Sequence, residues 1–196
     1  ISLQIHTSDK KIGQINYQDY LATIKPQFEN HSIAASRKGY TSIFLDDKNT
    51  RQDYFEHVMC DYAYLDANNL SMQSGRFFDQ LESPNNNFVI LGSKVAQLTS
   101  QNTIAQQTPS LFIHKKKHIV LGVLAQQSEQ PFVTRADINK TIYTHIHANP
   151  EQSIGLDEIT IQIKNTKEAD EVHSLIKKIM QIHFPEVRYQ IINTTQ

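Results

Sequence analysis

Tryptophan is absent from this chain of 196 residues, and cysteine occurs once, as Cys60. A lone thiol excludes an internal disulfide and leaves the redox compartment unread. No stretch of eighteen apolar residues occurs, which excludes a membrane-crossing helix within the sequence. An excess of one charge is also lacking. Nineteen basic and 20 acidic residues leave a net charge of -1, so no global field draws in nucleic acid or anionic lipid. No initiator Met and no signal-like charged or apolar region precede Ile1, which already lies in a strand-like pattern. The chain is therefore expected to be a piece of something longer. Its length suffices for one sizeable domain or two small ones sharing a core.

Signatures of chemistry are equally sparse. Gly92 and Gly122 are isolated and no Gly-Lys-Ser/Thr follows either, so no phosphate-cradling loop is present. "LGSKVA" places Ser93 after one glycine without the second that a nucleophile elbow needs, and Gly92-Ser93 reads as a strand exit into a helix N-cap. Nine histidines are scattered. His145 and His147 would share a strand face, and His114 and His118 flank a lysine turn, but two ligands make no zinc site. They read as exposed or half-buried imidazoles, and His173 and His183 as packing residues near a helix stripe. Cys60 reads as a small buried hydrophobe in a strand rather than a nucleophile. Asp46 and Asp47, followed by Lys48 and Asn49, read as a turn. No metal, cofactor or catalytic residue is expected.

What the sequence does hold is periodicity. "EITIQIK" (158–164) alternates Ile159, Ile161 and Ile163 with polar residues, as a half-buried strand does. Val172, Leu175, Ile176, Ile179, Met180 and His183 then recur at helical spacing. Asn165 and Glu168 form a capping pair at the start of that helix, and Pro185 closes the run. "EVRYQII" alternates again, completing a βαβ unit. At the other end, "ISLQI" alternates, and Asn16 caps a helix bearing Tyr17, Tyr20, Leu21 and Ile24 that Pro26 should stop. "HSIAAS" and "YTSIFLDD" flank "RKG", a hairpin signal with Gly39 in the turn. "DYFEHVMCD" reads as a strand showing Tyr54, Val58 and Cys60 on one face. From about residue 63 to 150 short strands dominate, with Lys115, Lys116 and Lys117 at a solvated hairpin tip that could dock a partner. The fold class is thus α+β, with a βαβ layer from both chain ends and a β-rich insertion between them.

Four phrases in the middle carry a resemblance. They are Asp61-Tyr62 before a short helix, Gly75-Arg76-Phe77-Phe78, Val89-Ile90-Leu91-Gly92 with Val95-Ala96, and Val120-Leu121-Gly122-Val123. In this order and spacing the segment resembles the MacB-type periplasmic core domain of ABC-transporter permeases, a family that includes lipoprotein-releasing (Lol-type) permeases. Gln107-Thr108-Pro109-Ser110 departs from it, where the family has a glycine opening the strand before the hairpin. The resemblance implies a discontinuous porter-like subdomain, 1–66 and 154–196, and an inserted Sabre-like lobe, 67–153. In that lobe Gly75 would adopt a backbone conformation barred to other residues, Arg76 would tie the corner, and Phe77 and Phe78 would fill the core.

The resemblance also implies a role. The domain would sit on the periplasmic or extracytoplasmic face of a bacterial cytoplasmic membrane, held by transmembrane helices outside this sequence. It would pass on motion driven by a cytoplasmic ATPase part, against a second permease copy or paralogue, toward a periplasmic adaptor or a lipoprotein carrier. The rival expectation is an extracytoplasmic ligand-binding or sensory module, which an aromatic-lined pocket would favour.

Overall fold

The structure is a computed structural model that describes residues 2–7, 14–44, 52–83, 86–100, 110–128, 137–147 and 154–194. In chain order the elements are β1 (Ser2–Thr7), α1 (Tyr17–Asp19), β2 (Ile33–Phe44), β3 (Gln52–Cys60), α2 (Tyr64–Ala67), β4 (Met72–Gly75), β5 (Phe88–Leu91) and α3 (Ser93–Ser100). They continue with β6 (Ser110–Ile113), β7 (Lys116–Leu124), β8 (Thr141–His145), β9 (Glu158–Gln162), α4 (Thr166–His183) and β10 (Tyr189–Thr194). They fall into two compact units. The first comprises Ile1–Arg37, Ala63–Asn69 and Ile146–Gln196, and the second Lys38–Tyr62 and Leu70–His145. These bounds differ from those read in the sequence, which grouped all of 1–66 with the C-terminal end. β3 is hydrogen-bonded along its length to β8 and so belongs with the middle of the chain.

In the first unit the strand order is β10-β1-β9-β2, and each neighbouring pair is antiparallel. β9 and β10 therefore run parallel with β1 between them, a split βαβ arrangement whose crossover is α4. The cap of α4 is the one the sequence implies: the Glu168 amide donates to Asn165 Oδ1 at 3.0 Å, and Asn165 Nδ2 donates to Glu168 Oε1 at 2.7 Å. Val172, Ile176, Ile179 and Met180 are buried, whereas His183 is exposed and does not pack as expected. It stands in the last turn, where a helix presents its free carbonyls.

The N-terminal helix also departs from expectation. Asn16 Oδ1 accepts from the Asp19 amide at 2.8 Å, as a cap should. Pro26 does not stop the chain there. The α-turn widens into a π-turn (Tyr20–Ile24), then tightens into a 3-10 turn (Lys25–Phe28) with Pro26 in its opening residues, where a missing amide costs no helical bond. This path buries Tyr20, Ile24 and Phe28, with the Tyr20 hydroxyl donating to Ile33 O at 3.2 Å.

The predicted hairpin at "RKG" is absent: β2 is one strand of 12 residues running straight through Gly39. A tight hairpin needs left-handed residues, and among the described residues only Asn69, His114, Lys115 and Gly75 have positive φ. In the second unit, β2 pairs β3 and β6, β3 pairs β8, β8 pairs β5, and β5 and β6 both pair β7. These six strands close into a ring, which leaves none of them a free edge. Its core is Ile43, Phe55, Val89, Leu91, Leu111, Ile113 and Ile142, and Val95 of α3 joins the same cluster. β4 adds to β7 outside the ring.

Candidate functional site: the glycine corner and the lysine hairpin

The corner begins where β4 meets β7. Gly75 has φ +71 and pairs with Gly122. A Cβ at Gly75 would lie 2.1 Å from Leu121 O and 2.7 Å from Gly122 Cα, and one at Gly122 would meet Ser74 O at 2.7 Å. Two glycines face each other because neither strand leaves room for a side chain. The next residue locks the exit. The Arg76 amide donates to Leu121 O at 3.2 Å, and its guanidinium donates to Phe77 O at 3.0 Å and to Glu82 Oε1 at 2.5 Å. The same guanidinium lies over the Phe88 ring, 5.8 Å from its centroid. Glu82 was not singled out in the sequence, yet its carboxylate side chain is only 6% exposed and closes the loop from 76 to 82. Phe78 is buried against Phe77, with ring centroids 4.8 Å apart, and meets His145 edge-on at 5.4 Å; Phe77 is half-buried.

A second node lies at the start of α3. Gly92, rather than Ser93, takes the cap position, since its carbonyl accepts the first helical bond from the Ala96 amide at 3.0 Å. A Cβ there would sit 2.3 Å from Ile138 O, and the Gly92 amide donates to Thr141 O at 2.8 Å. The Ser93 hydroxyl instead donates to Asn139 Oδ1 at 3.0 Å. Asn139, missed in the sequence, is buried and also exchanges bonds with the Gln127 backbone, accepting from its amide and donating to its carbonyl, both at 2.9 Å. Its signal was the Asp137-Ile138-Asn139 turn, in which Asp137 Oδ1 accepts from the Asn139 amide at 3.1 Å.

Asp61 is fully buried at the exit of β3, next to buried Cys60, and Tyr62 is half-buried two residues before α2. Burial, reinforced by the Asp61 charge, pushes the Cys60 thiol well above its ordinary range. Tyr54, expected to share a face with Val58 and Cys60, is instead 75% exposed while they are buried.

The lysine run does stand at a hairpin. The turn itself is His114-Lys115, with φ values of +50 and +65, and Lys116 and Lys117 open β7 opposite Ile113 and Phe112. All three lysines are exposed. Behind the tip, His114 Nε2 lies 3.3 Å from Thr41 Oγ1, and His57 Nε2 lies 2.8 Å from Thr144 Oγ1. Burial lowers His57 to about 4, with the His114 and His118 charges adding to the effect. Along β7 the six steps from Lys116 to Gly122 span about 20 Å at ~3.3 Å per residue. The structure therefore joins Gly75, Arg76, Phe77 and Gly122 at one corner and sets the lysines apart from it. The "DD" turn at 46–47 and residues 107–109 lie outside the described residues.

Among the described residues no group of three or more His, Cys, Asp or Glu side chains is placed to hold a metal ion, and no helix is long and apolar enough to cross a membrane. The corner and the Asn139 node are devices for holding backbone in place.

The fold, a split βαβ unit and a ring of strands, is one the chain shares with a periplasmic region and an extracellular domain of transporter proteins and with a domain of a permease protein. The chain is similar to the periplasmic region of MacB from Actinobacillus actinomycetemcomitans, with 14% identity, a TM-score of 0.71, and 98% of this chain and 88% of that one covered. It is similar also to the extracellular domain of YknZ, a noncanonic ABC-type transporter of Gram-positive bacteria, with 12% identity, a TM-score of 0.69, and coverage of 98% and 100%. A domain of a permease protein from Porphyromonas gingivalis matches at 12% identity and a TM-score of 0.58, over 97% and 86% of the two chains. No protein-family profile and no curated protein sequence matches the chain.

Proposed function

We propose that this chain is the extracytoplasmic domain of an ABC-transporter permease, and that it relays motion from a cytoplasmic ATPase part to partners outside the membrane. The observation that carries the reading is fold similarity over 98% of the chain to the periplasmic region of MacB and to the extracellular domain of YknZ. The first unit supports it. β1 and β10 are antiparallel neighbours from Ser2↔Thr194 to Thr7↔Tyr189, so the chain enters and leaves this unit side by side. That geometry fits a domain looped out between two membrane helices.

In this reading the first unit is the porter-like subdomain and the ring of strands the Sabre-like lobe. Gly75, Arg76, Phe77, Gly92 and Gly122 give the lobe stiffness, and Asp61 and Tyr62 lead the chain from β3 into α2. A second permease copy or paralogue, and a periplasmic adaptor or lipoprotein carrier, are the partners, in efflux or in lipoprotein export. The domain performs no catalysis.

The location is tested in the full-length chain carrying Lys115→Cys, with Cys60 retained as the buried reference. A membrane-impermeant maleimide added to intact spheroplasts should label the new thiol. Labelling only after lysis would overturn the reading.

A further inference from the structure

We infer that the outward face of the strands β2, β6 and β7 is a docking surface for a protein partner that presents an apolar patch fringed by carboxylates. The pairing register builds this face. Phe44 is opposite Phe112, Phe112 is opposite Lys117, and Ser110 is opposite Ile119. Ile43, Ile113 and Lys116 form the alternate row, and the first two lie in the ring core, so Phe44, Phe112, Lys117 and Ile119 point outward. Strand alternation puts Tyr40 on the same side as Phe44. Tyr40 is 78% exposed and Ile119 40%, while Phe44 and Phe112 are half-buried. Tyr40, Phe44, Phe112 and Ile119 run along this face with Ser42 and Ser110 among them, and exposed Lys117 stands beside Phe112, the composition of an interface centre with a polar rim.

The chemistry of the face selects its occupant. Its phenylalanines lie in the plane of a sheet and are half-buried, so they cannot reach into an acyl layer as a membrane anchor must. A second copy meeting it through the same face would bring Lys117 near its own twin, and like charges face to face cost affinity. The chain as a whole is close to neutral, so the lysines form a local rather than a global field. A carboxylate-fringed apolar surface satisfies both the rows and the rim.

This inference rests on the extracytoplasmic reading, which the Lys115→Cys labelling tests separately. The experiment places p-benzoylphenylalanine at Tyr40 or at Ile119 of the full-length chain in its own membrane, with Ile182, 59% exposed in α4, as the control position. Irradiation should give one protein adduct from both test positions and none from Ile182. Mass spectrometry of the adduct should place Asp or Glu within a few residues of the cross-linked apolar residue. Lys117→Glu should lower the yield at least fivefold, and Lys117→Arg should restore it. Adducts to lipid or to a second copy, an equal yield from Ile182, a yield indifferent to Lys117→Glu, or no adduct at all would each overturn the assignment. If the thiol at position 115 labels from outside while the cross-links fail, the docking surface alone is lost.

Discussion

Replacing Gly75 by alanine is the sharpest probe of the corner. A non-glycine residue at φ +71 costs about 1–2 kcal/mol in backbone strain. The new Cβ would also stand 2.1 Å from Leu121 O, a backbone atom that moves only if β7 moves, and such overpacking costs about 1–3 kcal/mol. Separating the strands stretches the Arg76 amide bond to Leu121 O, which contributes about 1 kcal/mol. The smaller entropy of the unfolded alanine chain offsets about 0.4–1 kcal/mol. A net loss of roughly 3 kcal/mol is expected, and at about 2–4 °C per kcal/mol for a chain of this size the melting temperature should fall by at least ~6 °C. The control is Gly39→Ala, since Gly39 has nothing within 4 Å of its would-be Cβ and lies in extended β2. It should melt at or slightly above the parent. The assay is thermal denaturation of the purified chain followed by circular dichroism. A Gly75→Ala melting point within 2 °C of the parent, with Gly39→Ala unchanged, would falsify the account of a strained, closed corner.

The turn between β6 and β7 holds two left-handed residues without a glycine, so the pair His114→Asn with Lys115→Gly should raise stability by about 1 kcal/mol, read as a shift in the urea midpoint. Reversing the charge of Lys115, Lys116 and Lys117 together should leave that midpoint within about 0.5 kcal/mol of the parent, since all three are exposed. His57 is held near 4 and favours its neutral form in the fold, so the unfolded chain binds the extra proton between pH 6.5 and 4. Its contribution is complete above about pH 6.5 and is lost as pH falls toward 4, by roughly 3 kcal/mol. Urea titrations at pH 7 and 4.5 should show this slope and its loss in His57→Gln; an equal slope in the variant would remove His57 as its source. Cys60 should resist thiol reagents until guanidinium unfolds the chain, and rapid labelling of the native protein would contradict its burial.

Sequence and structure agree where the signal is local. α4 was legible because a capping pair, a helical apolar stripe and a proline spoke together over one segment. β2 was misread because Gly39 in a polar tripeptide looks like a turn, although no left-handed pair accompanies it; the tight turn that exists, His114-Lys115, uses residues that seldom adopt that conformation. Closure of the ring was out of reach, since it depends on β6 finding both β2 and β7, and pairing between distant strands leaves no mark on either alone. Gly75 and Arg76 were legible as a corner. Their partners Gly122, Glu82 and Leu121 O become apparent only once β4 lies against β7.

The pairing of Ser2 with Thr194 has a mechanical meaning. A load that drives both strands together travels along β1 and β10 into the sheet, and every rung of the ladder shares it. A load that spreads the two ends acts on one rung at a time, beginning with the Ser2–Thr194 side-chain contact at 2.6 Å, and opens the pair like a zipper. β10 is the weaker member, because it lies at the end of the strand order with β1 as its single described neighbour, while β1 is held by β9 as well. The first unit is thus stiff toward thrust and compliant toward splaying. Whatever grips its two ends can drive it along the strands only while keeping them side by side.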